Sequence, residues 1–382
     1  MEYNNRLPFM FGKITREEAE DYLKNGQDGL YLVRSSTNFP GDYTLCVCCN
    51  NKVEHYRIIF MNNKYTIDEE GFFDSLSQLV EHYKQDADGL CTALRQTVPK
   101  KCDKDGLKAF EAAGWVIRTK DLEFKDEILG KGETGDVELA VFRNQKVAVK
   151  KMKDSCAAIS SFLTEASLMT SLRHKNLVQL LGITIDKPTI CLVTEFMANG
   201  SLVEYLQTRG SNKVSKLDQI KFATDTCAGM AYLESKEVVH RDLAARNVLI
   251  SDDFTAKVCD FGLASRKDIT LDCTGGRKVP IKWTAPESLR LGEFSSKSDM
   301  WSFGILLFEI YSFGRTPYPR IPLADVVKYV EEGYRMEAPN GCPPEIYAIM
   351  RRAWHAEPKE RPTFHEVLIQ LEQIKDATPE TE

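Results

Sequence analysis

The chain has 382 residues, 43% apolar and 28% charged, with a formal net charge of −6 and a pI near 5.7. That length exceeds one ordinary core and predicts two or three domains. The acidic balance argues against a nucleic-acid binder, so any anion recognised here must be met by a local cluster of cations.

No run of about eighteen apolar residues occurs, so neither a membrane-spanning helix nor direct membrane insertion is expected. Met1-Glu2-Tyr3 shows no signal-peptide pattern and no glycine placed for myristoylation, which predicts a cytoplasmic protein. The cysteines are scattered rather than spaced as a metal site or disulfide framework, so buried free thiols are the simpler reading. In the strand-like run that holds them, Cys46 and Cys48 share a face and Cys49 points away, which leaves a redox role for Cys49 open.

A first domain is placed at residues 6–97. Thr15-Arg16-Glu17-Glu18 fits a capping box and starts a helix that stops near Asn25-Gly26. Strands follow at Leu30–Arg34, Tyr43–Cys49 and Val53–Phe60, and Leu76, Leu79, Val80 and Tyr83 mark one face of a second helix. Arg16 sits in the first helical turn, where a positive charge opposes the macrodipole. Arg34 ends an apolar strand, and His55 and Arg57, two apart, face one way. Each has an ordinary explanation: a solvated charge, a satisfied histidine, a snorkelling stem. Together, from three elements, they suit a doubly charged anion.

Phe11-Gly12-Lys13-Ile14-Thr15-Arg16, Tyr31-Leu32-Val33-Arg34-Ser35-Ser36, His55-Tyr56-Arg57-Ile58 and Asp88-Gly89-Leu90 resemble an SH2 domain in order and spacing. The resemblance implies a central antiparallel sheet flanked by two helices. It also implies a phosphotyrosine pocket with Arg34 as its floor, Arg16 beside it, Ser35, Ser36 and Thr37 around the phosphate, and His55 and Arg57 completing it. Phe9 stands where the family usually opens on tryptophan, and Ser36 where a glutamate usually follows Arg-Ser.

Residues 98–120 read as a linker, polar and punctuated by Pro99 and Gly106, whose Phe110 and Trp115 should pack on one domain or the other. A second domain is placed at 121–376. Gly130-Lys131-Gly132-Glu133-Thr134-Gly135-Asp136-Val137 also fits a dinucleotide fold, but there the third glycine opens a helix. Here Val137–Val141 alternates as a strand, so the glycines belong to a hairpin over a nucleotide. Val147-Ala148-Val149-Lys150 is the next strand, with a phosphate-gripping lysine. Phe162, Glu165, Ala166 and Met169 share a helical face, and a carboxylate on an apolar stripe needs a cation, which Lys150 supplies.

His240-Arg241-Asp242-Leu243-Ala244-Ala245-Arg246-Asn247, Asp260-Phe261-Gly262 and Ala285-Pro286-Glu287 follow in order, and this set resembles a bilobal protein kinase. The resemblance implies that Asp242 accepts the substrate proton, that Asn247 and Asp260 hold Mg²⁺ (Mn²⁺ being the alternative ion), and that His240 is structural. ATP would contact Leu129, Gly130, Gly132, Gly135, Val137, Ala148 and Lys150, with Thr194 as gatekeeper and Glu195 and Met197 in the hinge. The helix from Asp299 to Ile310 is apolar almost all round and predicts a buried post, with Asp299 anchoring the catalytic loop.

Ala244 stands where serine/threonine kinases usually carry lysine, and Ala244-Ala245-Arg246-Asn247 with Pro280-Ile281-Lys282-Trp283 resembles tyrosine kinases. That implies support of Asp242 by Arg246, and of the phenol ring by the Pro280 region. Overall the chain is similar to the C-terminal Src kinase family, without that family's SH3 domain. The stretch from Asp260 to Glu287 contains no tyrosine, and none follows Tyr347. The similarity implies phosphorylation of the inhibitory tail tyrosine of Src-family kinases, and recruitment to the plasma membrane by tyrosine-phosphorylated scaffold proteins. Thr134 replaces the aromatic usual at the tip of the glycine loop, and Arg209 alone remains of the basic patch that docks the substrate kinase in the family. A tyrosine kinase of broad specificity and a silent phosphotyrosine adaptor are the alternatives. Intact Lys150, Glu165, Asp242, Asn247 and Asp260 weigh against the adaptor.

Overall fold

A computed structural model describes residues 7, 9–24, 26–37, 39, 41–61, 64–98, 104–131, 135–151, 156–186, 189–266 and 280–378. Gly132 and Thr134 of the glycine loop, Pro99 of the linker, and residues 267–279 of the tyrosine-free stretch lie outside the described residues. The chain forms two compact units that divide along the sequence between Asp105 and Gly106, except that residues 156–160 group with the first.

The first unit comprises helix α1 (Arg16–Leu23), strands β1 (Leu30–Ser35), β2 (Tyr43–Cys49), β3 (Lys52–Met61) and β4 (Lys64–Thr66), helix α2 (Leu76–Gln85) and the short strand β5 (Gln96–Thr97). The capping box forms, with the Glu18 amide donating to Thr15 Oγ1 at 3.1 Å and the Thr15 amide to Glu18 Oε2 at 2.7 Å. The strand order is β4-β3-β2-β1-β5. Because helices cover both faces, β2 is buried along its whole length. Leu32, Cys46 and Cys48 pack with Ala19 and Leu23 of α1 on one face. Tyr31, Val33, Leu45, Val47 and Ile58 pack with Leu76, Leu79, Val80 and Tyr83 of α2 on the other. The sheet is not wholly antiparallel: β5 runs parallel to β1, pairing Leu30 with Gln96 and Tyr31 with Thr97. After α2 the chain comes back along the open edge of β1 in the same direction, which covers an edge otherwise available for pairing.

The second unit begins with α3 (Lys104–Ala112) and continues through β6 (Leu122–Lys131), β7 (Asp136–Phe142), β8 (Gln145–Lys151), α4 (Cys156–Ser171), β9 (Leu180–Asp186) and β10 (Thr189–Glu195). These strands form a sheet in the order β6-β7-β8-β10-β9. Then come α5 (Leu202–Arg209), α6 (Lys216–Ser235), β11 (Val238–Val239), β12 (Val248–Ile250), β13 (Ala256–Val258) and β14 (Ser265–Arg266). The chain ends in α7 (Pro286–Leu291), α8 (Ser296–Tyr311), α9 (Val326–Glu331), α10 (Pro344–Ala353) and α11 (Phe364–Ala377). Helix α8 is buried from Ser298 to Tyr311 and serves as the post of the helical half.

The connector joins this second unit. The Ile117 amide donates to the Ile183 carbonyl at 2.8 Å, and the Ile183 amide to the Trp115 carbonyl at 2.9 Å. Gly182 makes the approach possible, since a Cβ there would lie 2.6 Å from the Trp115 carbonyl oxygen and 2.8 Å from the Ile117 side chain. A Gly182→Val variant should be destabilised by ~1–3 kcal/mol through overpacking against backbone. Its melting temperature, measured beside the parent, should fall by several degrees.

Candidate active site

Strand register builds the upper wall. Val137 pairs with Lys150 and Leu139 with Ala148, while Leu192 pairs with Lys150 and Thr194 with Ala148. Directly paired residues share a face, as do residues two apart, so Val137, Ala148, Lys150 and Thr194 line one surface. Val147, Val149, Cys191 and Val193 pack into the core on the other. Gly130 pairs with Val137 at the hairpin, and Leu129 is 36% exposed beside it. Glu195 pairs with Val147 and so faces away from that surface. Its carboxylate instead accepts from Lys257 Nζ at 2.7 Å and from the Gln179 amide at 2.8 Å, which leaves only its backbone for a nucleotide. Met197 follows in the loop, buried.

Lys150 Nζ lies 3.4 Å from Glu165 Oε1 and 3.6 Å from Asp260 Oδ1. Burial alone would lower the lysine's pKa, but the two carboxylates outweigh it and the net shift is upward. Burial likewise opposes ionisation of Asp260, and Lys150 and the Gly262 amide outweigh it, so its pKa falls. Asp260 adopts a left-handed backbone, φ 61°, that turns its carboxylate back to the lysine. This is a fully charged constellation in which Glu165 fixes the ammonium that would meet phosphate oxygens.

The catalytic loop is held from below. Asp299 accepts from the His240 amide at 2.7 Å and the Arg241 amide at 2.9 Å. Burial raises the Asp299 pKa, and these donors offset the rise only in part. His240 is buried, with Nε2 3.0 Å from the Cys259 carbonyl, a structural post rather than a reacting group. Asp242 is bound on both oxygens, by Arg246 and by Asn247 Nδ2 at 2.8 Å. The Arg246 guanidinium lies 4.7 Å from the Trp283 ring. Buried Arg361 makes a two-pronged bond to Glu287, at 2.6 and 2.9 Å, which fixes the end of the substrate-side segment.

In the first unit, Arg34, Thr44 and Arg57 are cross-strand neighbours, as are Leu32, Cys46 and His55, so Arg34, His55 and Arg57 share the α1 face. Arg34 is 6% exposed, and its buried Nε has no partner among the described residues. A buried, unneutralised guanidinium calls for an anion. Ser35 ends β1, and the Ser36 hydroxyl accepts from the Phe39 amide at 3.1 Å. The other candidates are already engaged, and burial lowers the pKa of His55. Glu20 accepts from Arg16 Nε at 2.8 Å and lies 3.1 Å from His55 Nε2, and Arg57 lies 2.6 Å from Asp42. Sequence reasoning missed both acids, although Glu20, four residues after Arg16 in a helix, was legible as its partner. Cys49, by contrast, donates to the Cys91 carbonyl at 3.4 Å.

Residues 122–371 match the protein tyrosine and serine/threonine kinase family, and residues 9–83 match the SH2 domain. Tyrosine-protein kinase csk-1 of Caenorhabditis elegans is 48% identical over 97% of this chain and 72% of its own length. The chain belongs to the C-terminal Src kinase family. The megakaryocyte-associated tyrosine-protein kinase of Mus musculus is 45% identical over 96% of the chain and 71% of its own length. Tyrosine-protein kinase Abl of Drosophila melanogaster is 40% identical over 97% of the chain but only 23% of its own length. As a member of the C-terminal Src kinase family, the chain is an ATP- and divalent-metal-using protein tyrosine kinase with an SH2 domain that binds phosphotyrosine proteins.

Three outcomes are expected from this geometry. Glu20→Gln should tighten binding of a phosphotyrosine peptide by up to about fivefold, because it frees Arg16 from an exposed pair, whereas Arg34→Ala should abolish binding; fluorescence anisotropy reads both. Glu165→Gln should lower kcat by about 100-fold, checked by steady-state kinetics at saturating ATP.

Proposed function

We propose that this kinase phosphorylates the inhibitory C-terminal tail tyrosine of Src-family kinases, and that its SH2 domain recruits it from the cytoplasm to tyrosine-phosphorylated scaffold proteins at the plasma membrane. The observation that carries the reading is the likeness to csk-1 through both domains and the connector, over 97% of the chain. Among the described residues, no helix is long and apolar enough to cross a membrane, so a membrane address would come from a bound partner.

In this reading Lys150, braced by Glu165, grips the ATP phosphates under the glycine hairpin. Asn247 turns its Nδ2 to Asp242, which leaves Oδ1 as an oxygen donor, and Asp260 supplies a carboxylate that is 42% exposed. Two hard oxygens suit Mg²⁺, which prefers few protein ligands plus substrate phosphates. Bound there, Mg²⁺ would supply neutralising charge. Asp242 takes the proton from the substrate phenol as the phenolic oxygen bonds to the γ-phosphorus and the bond to the β–γ bridging oxygen breaks, releasing ADP. Arg246 and Asn247 hold Asp242 in one rotamer, so that its proton-accepting geometry is set before substrate arrives.

Arg209 favours the alternative of broad specificity. It donates to the Tyr205 hydroxyl at 3.1 Å and to Asn199 Oδ1 at 3.3 Å, and its guanidinium carbon lies 4.0 Å from the Tyr205 ring centre. A cation so engaged offers little to a docking substrate.

The deciding experiment incubates the protein with Mg²⁺-ATP and a catalytically dead Src-family kinase and maps the labelled tyrosines, with Asp242→Asn as control. Rapid, selective labelling of the tail tyrosine supports the reading. Labelling of generic tyrosine peptides without the tail replaces it with broad specificity.

A further inference from the structure

One buried acid takes no part in the chemistry above. Glu309, ten residues along α8 from Asp299, is 3% exposed. A single carboxylate oxygen, Oε2, accepts from the Ala245 amide and from the Trp283 indole Nε1, each at 2.9 Å. Ala245 adjoins Arg246 in the catalytic loop, and Trp283 belongs to the Pro280–Trp283 segment assigned to the substrate ring. Arg246 sits over that same Trp283 ring and binds Asp242.

We propose that Glu309 is a positioning residue that locks the catalytic loop to the tyrosine-binding segment, so that Asp242, through Arg246, stands at a fixed distance from the substrate hydroxyl. The proposal rests on the roles given above to Asp242 and Pro280–Trp283.

Three features carry it. Ala245 and Trp283 are far apart in sequence and both donate to this oxygen. Shifting either donor would move Arg246, since one is its chain neighbour and the other its stacking partner. Finally, the two donors are also what make the buried charge tolerable. Among the charged groups on surrounding elements, Arg246 of the catalytic loop acts on this carboxylate. Lys282, beside Trp283, donates to the Pro317 carbonyl at 2.8 Å instead, and Asp299 on the same helix is engaged by His240 and Arg241. Burial pushes the Glu309 pKa from 4.5 up to about 7, with Trp283, Ala245 and Arg246 restraining the rise. When ionised, Glu309 also shares in balancing the Arg246 charge.

The sign of the linked stability follows. Between 4.5 and about 7 the folded chain keeps a proton that the unfolded chain releases, so stability falls as pH rises through that window and then levels.

The test compares the parent with Glu309→Gln, Trp283→Phe and the double variant for kcat, for KM toward a tyrosine peptide and ATP, and for melting temperature, from pH 5 to 8.5. Glutamine keeps a carbonyl acceptor without charge; phenylalanine keeps a ring under Arg246 without the indole donor. Glu309→Gln is expected to lower kcat about 10- to 100-fold at pH 8. Its KM for ATP should stay within about twofold, its rise in kcat through pH 7 should flatten, and its stability should lose the downward slope between pH 5 and 7. The double variant should be no worse than the poorer single one. Unchanged kcat and pH profile in Glu309→Gln, with only the melting temperature moved, would overturn the proposal. If that variant does not fold, an unaltered kcat in Trp283→Phe overturns it. Full activity of Asp242→Asn would instead remove the underlying assignment of roles.

Discussion

Two carboxylates buried on one helix hold the kinase half of this protein in working order. Helix α8 is enclosed from Ser298 onward, so neither Asp299 nor Glu309 can be solvated by water. An isolated carboxylate in such surroundings is costly. Both are satisfied by N–H groups that have no helical or ladder partner: the His240 and Arg241 amides at one end, the Ala245 amide and Trp283 indole toward the other. The loop between them is thus pinned at either end of the segment that carries Asp242. Left-handed Arg241, φ 69°, is tolerated because Asp299 overdetermines it.

Above that loop, precision comes from pairing rather than from buried acids. The antiparallel register among β7, β8 and β10 sets Val137, Ala148, Lys150 and Thr194 on one face. The same register turns Glu195 to the opposite side, where Lys257 and the Gln179 amide take its carboxylate. A slip of one residue would exchange the two faces and put Lys150 into the core. Glu165 adds what pairing cannot: it fixes where the lysine head rests.

The SH2 domain handles charge in the opposite way. Of the residues proposed to meet phosphate, Arg16 and Arg57 are paired with Glu20 and Asp42, and His55 lies beside Glu20. Arg34, among the described residues of this domain, keeps a buried nitrogen, Nε, without a partner. The Arg16–Glu20 pair, exposed on both sides, can open at small cost.

The amino-acid sequence determined what acts over short spans. The capping box at Thr15 and the apolar face of Leu76–Tyr83 each follow from local geometry and spacing, whereas the Asp242–Arg246 pair is implied by the resemblance to tyrosine kinases. The motif residues, by their order, point to a kinase. The buried post was legible too, because a helix apolar all round has nowhere else to go, and an acid at its start must find donors. Tertiary structure alone decided the rest. It put the connector on β9 through Gly182, ran β5 parallel to β1, folded Arg209 onto Tyr205, and brought Ala245 and Trp283 to one oxygen of Glu309. Glu309 lies 64 residues from Ala245 and 26 from Trp283. The presence of a carboxylate in an apolar stretch announces that donors are needed, but which donors arrive depends on the path of the chain between them.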